Sequence, residues 1–252
     1  VLPSSQSSAI VDTMLSDSRV RVVSFTGSTE VGRKLLHSAA DQVLKPAMEL
    51  GGNAPLLVLE DANIDTAVQG TMLAKMRNLG EACTAANRIY VHKNIVDEFT
   101  KKLTLEMKNL KVGNGLDPDV QVGPLINENT RNKVAGFVED AISKGAILHT
   151  GGKVPEGKGY YYPPTVLSDV PKNSNCVHDE IFGPVAAIQT FENLEAVIKD
   201  ANDTEYGLVA YVFTENMKLG MSVCERLEYG MVGLNRGLVS DPAAPFGGCK
   251  QS

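Results

Sequence analysis

The chain has 252 residues, 43% of them hydrophobic and 21% charged, with a formal net charge of −6. That is the balance of a globular protein with a sizeable core, spread over one or two domains. The acidic sign with no Lys/Arg cluster excludes an electrostatic nucleic-acid footprint, and no apolar run approaches the ~18 residues of a membrane span.

In chain order, residues 21–25 (Arg-Val-Val-Ser-Phe) predict a strand. A Gly27-Ser28-Thr29 turn follows, then a helix with Val31, Leu35 and Ala39 at four-residue spacing. Residues 55–60 are a short apolar strand, and residues 61–79 read as a helix with Asp61 as its N-cap. Residues 88–92 are another strand. The helix after it carries Val96, Phe99, Leu103, Met107 and Leu110 on one face. A loop with Pro118 and Pro124 leads to a helix bearing Val134, Phe137, Val138, Ala141 and Ile142, which Gly145 stops. Residues 151–164 are a Gly/Pro/Tyr-rich connector. A helix over 194–202, a strand over 209–213, a helix over 218–227 and a strand over 231–234 complete the series. Strands alternating with helices predict an α/β fold whose largely parallel sheet is covered on both faces.

The chain opens at Val1-Leu2-Pro3 with no initiator methionine and no signal pattern, and it closes inside a glycine-rich run. It therefore reads as a piece of something longer. The four cysteines, Cys83, Cys176, Cys224 and Cys249, form no CxxC pair and no zinc spacing. Four in so long a chain do not build a disulfide scaffold, so a reducing cytoplasm is the expected compartment.

Three stretches invite a functional reading. Gly27-Ser28-Thr29-Glu30-Val31-Gly32-Arg33-Lys34 imitates a phosphate-binding loop but lacks its Gly-Lys-[Ser/Thr] order. What remains is a strand, a turn and a helix start that offers N–H groups to an anion; the bland alternative is an ordinary strand-to-helix turn. Cys83 sits among small residues in Gly80-Glu81-Ala82-Cys83-Thr84, which leaves its thiol reachable, whereas most free cysteines are buried and inert. Glu49, between Met48 and Leu50-Gly51-Gly52, is costly to bury unless paired or protonated and so suits a general base. Its bland alternative is a solvent-facing residue on a half-buried edge strand. Arg77 reads equally as a surface arginine at a helix end. Cys176-Val177-His178-Asp179 does not read as a metal site, because adjacent residues on an extended chain face alternate ways. Tyr160-Tyr161-Tyr162 reads as packing.

Together and in order, Phe25-Thr26-Gly27-Ser28-Thr29-Glu30-Val31-Gly32, Glu49-Leu50-Gly51-Gly52, Cys83, Glu180-Ile181-Phe182-Gly183-Pro184-Val185 and Pro245-Phe246-Gly247-Gly248 resemble the signatures of the NAD(P)-dependent aldehyde dehydrogenase superfamily along the whole chain. Met76-Arg77-Asn78-Leu79-Gly80-Glu81-Ala82-Cys83 and Gly237-Leu238-Val239-Ser240 are most similar to its succinic semialdehyde dehydrogenases. The resemblance implies an aldehyde dehydrogenase-like catalytic domain over residues 51–252, with its parallel sheet flanked by helices. Residues 1–50 would be the tail of a Rossmann-like cofactor domain. A full-length member is roughly twice as long and assembles as a homodimer or homotetramer.

The implied roles are a Cys83 nucleophile and a Glu49 general base. Gly27, Ser28, Thr29, Gly32 and Leu50 would face the cofactor, Glu180 the nicotinamide ribose, and Phe182 the nicotinamide. Arg77 and Ser240 would hold the substrate carboxylate, for which a guanidinium fork is a natural partner. The cofactor is NADP or NAD, with NADP favoured, and the substrate a small aldehyde, with no nucleic acid, metal or membrane involved. Where some relatives carry a second thiol two residues after the nucleophile, this chain has Ala85, so a thiol switch there is not expected. The chain alone is expected not to oxidise aldehydes, and Cys83 is expected to be alkylated before the other cysteines. The alternatives are another carboxylated semialdehyde as substrate, or a non-catalytic piece with residual thiol esterase activity.

Overall fold

The computed structural model describes residues 4–252; Val1, Leu2 and Pro3, and with them the start of the chain, lie outside the described residues. The N-terminal part comprises α1 (Ser7–Leu15), β1 (Val22–Thr26), α2 (Thr29–Ala40) and β2 (Lys45–Glu49). Strands β1 and β2 pair in parallel as a two-stranded sheet of their own. Beneath them Leu15, Ala39 and Leu44 form a small separate core.

The larger part follows with β3 (Ala54–Val58), α3 (Ile64–Met76), β4 (Ala86–His92), α4 (Val96–Lys108) and α5 (Glu128–Ser143). Next come β5 (Ile147–Thr150), β6 (Thr165–Ser168), the one-turn α6 (Asn175–His178), β7 (Val185–Phe191) and α7 (Leu194–Asn202). The chain ends with β8 (Tyr206–Gly207), β9 (Val209–Phe213), α8 (Met217–Arg226), β10 (Met231–Leu234) and β11 (Cys249–Lys250). Seven strands form one sheet in the order β10-β9-β3-β4-β7-β6-β5, parallel except for the antiparallel edge pair β5–β6. The fold is therefore α/β, with a mostly parallel sheet between helical layers.

Every residue of β3 and β4 is buried, because both faces are covered. On one face Leu56, Val58, Ile89 and Val91 pack with α3 and α4. On the other, Leu57 and Tyr90 pack with Val197 and Ile198 of α7 and Val223 of α8. The face anticipated for α4 is the buried one: Phe99, Leu103 and Met107 are fully enclosed, and each such side chain contributes about 1.5–3 kcal/mol of burial. Helix α5 ends as anticipated, with Gly145 at φ +114 just beyond its last turn.

Some elements differ from the sequence reading. The N-cap of α3 is Asn63, whose side chain accepts the Thr66 N–H at 2.9 Å. Asp61 instead accepts hydrogen bonds from Thr214 Oγ1 (2.6 Å) and the Asn216 N–H (2.8 Å), tying the β3–α3 loop to the one after β9. The helix stops at Met76, before the anticipated end at residue 79, because Asn78 and Leu79 turn left-handed. Strands β5, β6 and β7 were not anticipated: β5 is an exposed edge and β6 has only four residues, so neither shows an alternating pattern. Of the tyrosine run, Tyr162 is core and Tyr160 is exposed. Among the described residues, no helix is long and apolar enough to cross a membrane.

Candidate active site around Cys83

Residues after the C-terminal ends of β1 and β2 and before the N-terminal ends of β4 and β7 line one cavity of about 670 Å³. Its walls come from the turn after β1 (Thr26, Gly27, Ser28), the β2–β3 loop (Leu50, Gly51), the loop before β4 (Arg77, Glu81 to Thr84), the loop before β7 (Glu180, Phe182) and the C-terminal loop (Ser240, Phe246). The size is that of a small-molecule or cofactor pocket.

The loop that carries Cys83 is a strained connection. Asn78 (φ +49), Leu79 (φ +59) and Gly80 (φ +75) are three consecutive left-handed residues, held by Asn78 Nδ2 donating to the Glu81 carbonyl at 2.7 Å. Gly80 is required there, since a Cβ would drive into the Gly183 carbonyl of the loop before β7. Gly52 is required for the same reason, because its Cβ would drive into the Cys83 carbonyl. The far side of the loop is braced by Tyr211 Oη, which donates to the Thr84 carbonyl at 2.8 Å. Phe182, at φ +54, is likewise a bulky side chain in a left-handed conformation on the cavity wall.

The β2–β3 loop is pinned from several sides. The Gly51 N–H donates to Thr29 Oγ1 (3.2 Å) and the Gly52 N–H to Glu180 Oε1 (3.1 Å). Below it Arg88 is fully buried, donating from Nε to the Asn53 carbonyl at 3.0 Å and from Nη2 to the Ala201 carbonyl and Tyr229 Oη. Asn53 Nδ2 in turn donates to the carbonyls of Val177 and His178. Glu49 ends β2 half-buried, and its Oε2 is buried without a hydrogen-bond partner among the described residues. Its charge reaches the Cys83 sulfur.

The half-buried Cys83 thiol is pushed above its ordinary value, first by burial, then by the Glu180 charge; its own N–H, turned toward the sulfur, and Arg77 pull the other way. Glu180 is itself pushed up by burial, against the Gly52 N–H and the charges of Lys133 and Lys75. Little thiolate therefore forms at Cys83 near neutral pH in this arrangement, whereas Cys249 is exposed. This reverses the labelling order expected from sequence: iodoacetamide at neutral pH should modify Cys249 first and buried Cys176 last, with Cys83 gaining as the pH rises. Peptide mapping over a pH series checks this; Cys83 labelled first at pH 7 would contradict it.

Of the residues singled out from sequence, Cys83, Gly27, Ser28, Leu50, Glu180, Phe182, Arg77 and Ser240 share the cavity wall. Thr29 and Gly32 do not. Thr29 is buried with its hydroxyl bonded to the Gly51 N–H and the Gln251 carbonyl, and Gly32 lies against the Leu50 side chain. Glu49 stands behind the lining. Thr130 and Lys133 of α5 and Glu81 also line the cavity and were not singled out. Lys133 Nζ reaches the Glu180 carbonyl at 2.8 Å, and Glu81 Oε1 accepts the Ile126 N–H at 3.1 Å. No local motif marks Thr130 and Lys133, which only the packing of α5 brings in, whereas Glu81 enters with the Cys83 loop itself. Cys176 sits in the core between α5 and β7.

The profile of the "Aldehyde dehydrogenase family" matches residues 1–252. A succinate-semialdehyde dehydrogenase of Paenarthrobacter nicotinovorans is 52% identical over all of this chain and 56% of its own length. A glutarate-semialdehyde dehydrogenase of Pseudomonas putida is 47% identical over 94% of this chain and 49% of its own. The crystal structure of an NADP dependent enzyme of E. coli superposes with a TM-score of 0.96 at 44% identity, covering 100% of this chain and 52% of that one. The chain spans about half the length of the curated relatives it matches. Matched along its whole length in both sequence and fold, with Cys83, the Gly27–Ser28 turn and Glu180 lining one cavity, the chain belongs to the aldehyde dehydrogenase family.

Proposed function

We propose that the chain carries the thiol-bearing half of an NAD(P)-dependent enzyme that oxidises succinic semialdehyde to succinate. The observation that supports this most is the convergence on one cavity of Cys83, Glu180, the Gly27–Ser28 turn and the guanidinium of Arg77. Arg77 makes a single hydrogen bond among the described residues, to Thr84 Oγ1 at 3.2 Å, which leaves most of its fork for a substrate carboxylate. Succinate- and glutarate-semialdehyde relatives both fit a carboxylate-tailed aldehyde.

The lining of the cavity suits the nicotinamide and phosphate end of a dinucleotide. Ser28 Oγ takes up the Val31 N–H, while the first N–H groups of α2 point out of the helix end toward the Gly27–Ser28 wall and suit a phosphate. Glu180 would hold the nicotinamide ribose and Phe182 would pack at the nicotinamide. Such a cofactor, when bound, supplies the hydride acceptor; NADP is favoured over NAD. The Cys83 thiol gives its proton to solvent and its sulfur attacks the aldehyde carbon; the C–S bond forms as the carbonyl π pair moves to oxygen, where the Cys83 backbone N–H receives the oxyanion. After oxidation the acyl group is held on the Cys83 sulfur as a thioester. Glu49, with its unpartnered Oε2, takes the proton of the water that adds to the thioester, releasing the acid and the thiol. The same reading includes a homodimeric or homotetrameric full-length enzyme.

The test is a pair of assays. A full-length enzyme containing this chain should form NAD(P)H with succinic semialdehyde. The chain by itself should not, but should hydrolyse an activated ester slowly, with that hydrolysis lost in Cys83→Ala. Robust NAD(P)H production by the chain alone, or none by the full-length enzyme, would overturn the reading.

A further inference from the structure

Lys75 lies at the end of α3, one turn before the strained loop, and is fully buried. Among the described residues its ammonium makes one hydrogen bond, to Asn87 Oδ1 at 2.8 Å. Asn87, also buried, donates from Nδ2 to the Gly52 carbonyl at 3.5 Å. Across the same residue the Gly52 N–H donates to Glu180 Oε1 at 3.1 Å. Lys75, Asn87, Gly52 and Glu180 thus form a line running from the core to the cavity wall, with the Cys83 carbonyl against Gly52 beside it.

A buried ammonium with one neutral partner is costly unless a negative charge compensates it. The groups whose charge acts on Lys75 are Glu180, from the loop before β7, and Cys176, from α6. Burial pushes the Cys176 thiol up to about 11, so at neutral pH it carries no charge. Glu180 is the one anion left. Glu180 also feels the charge of Lys133, more strongly than that of Lys75, but Lys133 is solvent-exposed and its ammonium bonds the Glu180 backbone carbonyl rather than its carboxylate.

We propose that Lys75 is a positioning residue for this site: through Asn87 and the Gly52 backbone, its buried ammonium favours the charged form of the Glu180 carboxylate and aims it at the cavity. The pair is a neutral unit whose inner half is hidden from solvent, so the cavity face carries a carboxylate fixed in direction. What Glu180 then holds rests on the dehydrogenase reading above; its coupling to Lys75 does not. Burial lowers the Lys75 amine from 10.5 to about 7, with Glu180 opposing that fall. The unit therefore changes charge near neutral pH.

The experiment is a carbon-13 NMR titration of the full 252-residue chain, labelled at lysine Cε and glutamate Cδ. Lys75 and Glu180 are assigned by the signals lost in Lys75→Met and Glu180→Gln. Lys75 should titrate near pH 7, and its midpoint should fall in Glu180→Gln; the Glu180 midpoint should rise in Lys75→Met. A Lys75 midpoint that Glu180→Gln does not move, or a Glu180 midpoint that Lys75→Met does not move, overturns the proposal.

Stability gives a second readout. The unfolded amine binds its proton more tightly, so between about pH 7 and 10.5 the unfolded state holds more protons and this group makes stability rise with pH. Its cost is fully present below that window. Urea unfolding should show a rise in the wild type that Lys75→Met lacks; equal slopes would overturn the buried charge. If Lys75→Met does not fold, Glu180→Gln still tests the coupling through the Lys75 signal. In a full-length enzyme, Lys75→Met and Glu180→Gln should both raise the KM for cofactor more than they lower kcat. A coupled pair with cofactor KM unchanged in Glu180→Gln would overturn the role of Glu180 in cofactor binding and leave the coupling standing.

Discussion

Replacing Cys83 with alanine in a full-length enzyme containing this chain is expected to cut kcat for aldehyde oxidation by about 10⁴-fold or more, the scale on which loss of a covalent nucleophile is felt. At about 1.4 kcal/mol per decade that is more than ~5 kcal/mol of transition-state stabilisation. No other thiol can substitute. Cys176 is enclosed in the core, Cys224 lies on α8, and Cys249 has its sulfur against the carbonyls of Glu228 and Gly207. The folding cost should be small, because the side chain is half-buried and loses one sulfur atom at a cavity wall. Steady-state kinetics beside urea unfolding separate the two effects. A variant that keeps a tenth of the wild-type kcat would mean that the C–S bond is not on the reaction path.

Arg77→Ala is expected to lower kcat/KM for succinic semialdehyde by about 2–4 kcal/mol, the range for a lost charged anchor, and to leave an uncharged aldehyde of the same length little changed. The contrast between substrates is what identifies the role. Arg77 is exposed and has one hydrogen bond, so its removal does little to the fold. It faces the Cys83 cavity on one side and a second cavity, beside Met72, Leu73 and Leu238, on the other. Ser240 also lines the first of these. Equal losses on both aldehydes would instead mean that Arg77 supports the Cys83 loop, whose Thr84 it touches, and that the carboxylate binds elsewhere.

Much of this protein is legible along the chain. The strand at residues 22–26, the face of α4 and the glycine stop of α5 follow from local rules: residue spacing, backbone freedom and capping. So do the short motifs whose order marks the family, because a turn, a helix start or a small-residue loop around a thiol is written within a few consecutive residues. Tertiary structure decides whatever depends on which surfaces meet. Asp61 looks like a helix cap until the loop after β9 claims its carboxylate. Thr29 sits in a cofactor-like motif, yet its hydroxyl is used to fix Gly51. The edge strand β5 exists only because β6 offers it a ladder, and its solvent-exposed residues carry no alternation to read. Lys75, in sequence a polar residue two before Arg77 at a helix end, is fully buried beneath the Cys83 loop, while Arg77 stays in the open. The Cys83 thiol is reachable, as its small neighbours implied, but its proton is held by burial and by carboxylates 34 and 97 residues away, Glu49 and Glu180. Periodicity and turn chemistry are properties of neighbours in sequence. Desolvation and charge are properties of neighbours in space, and in this chain those are brought together only where loops from two sheets line one cavity.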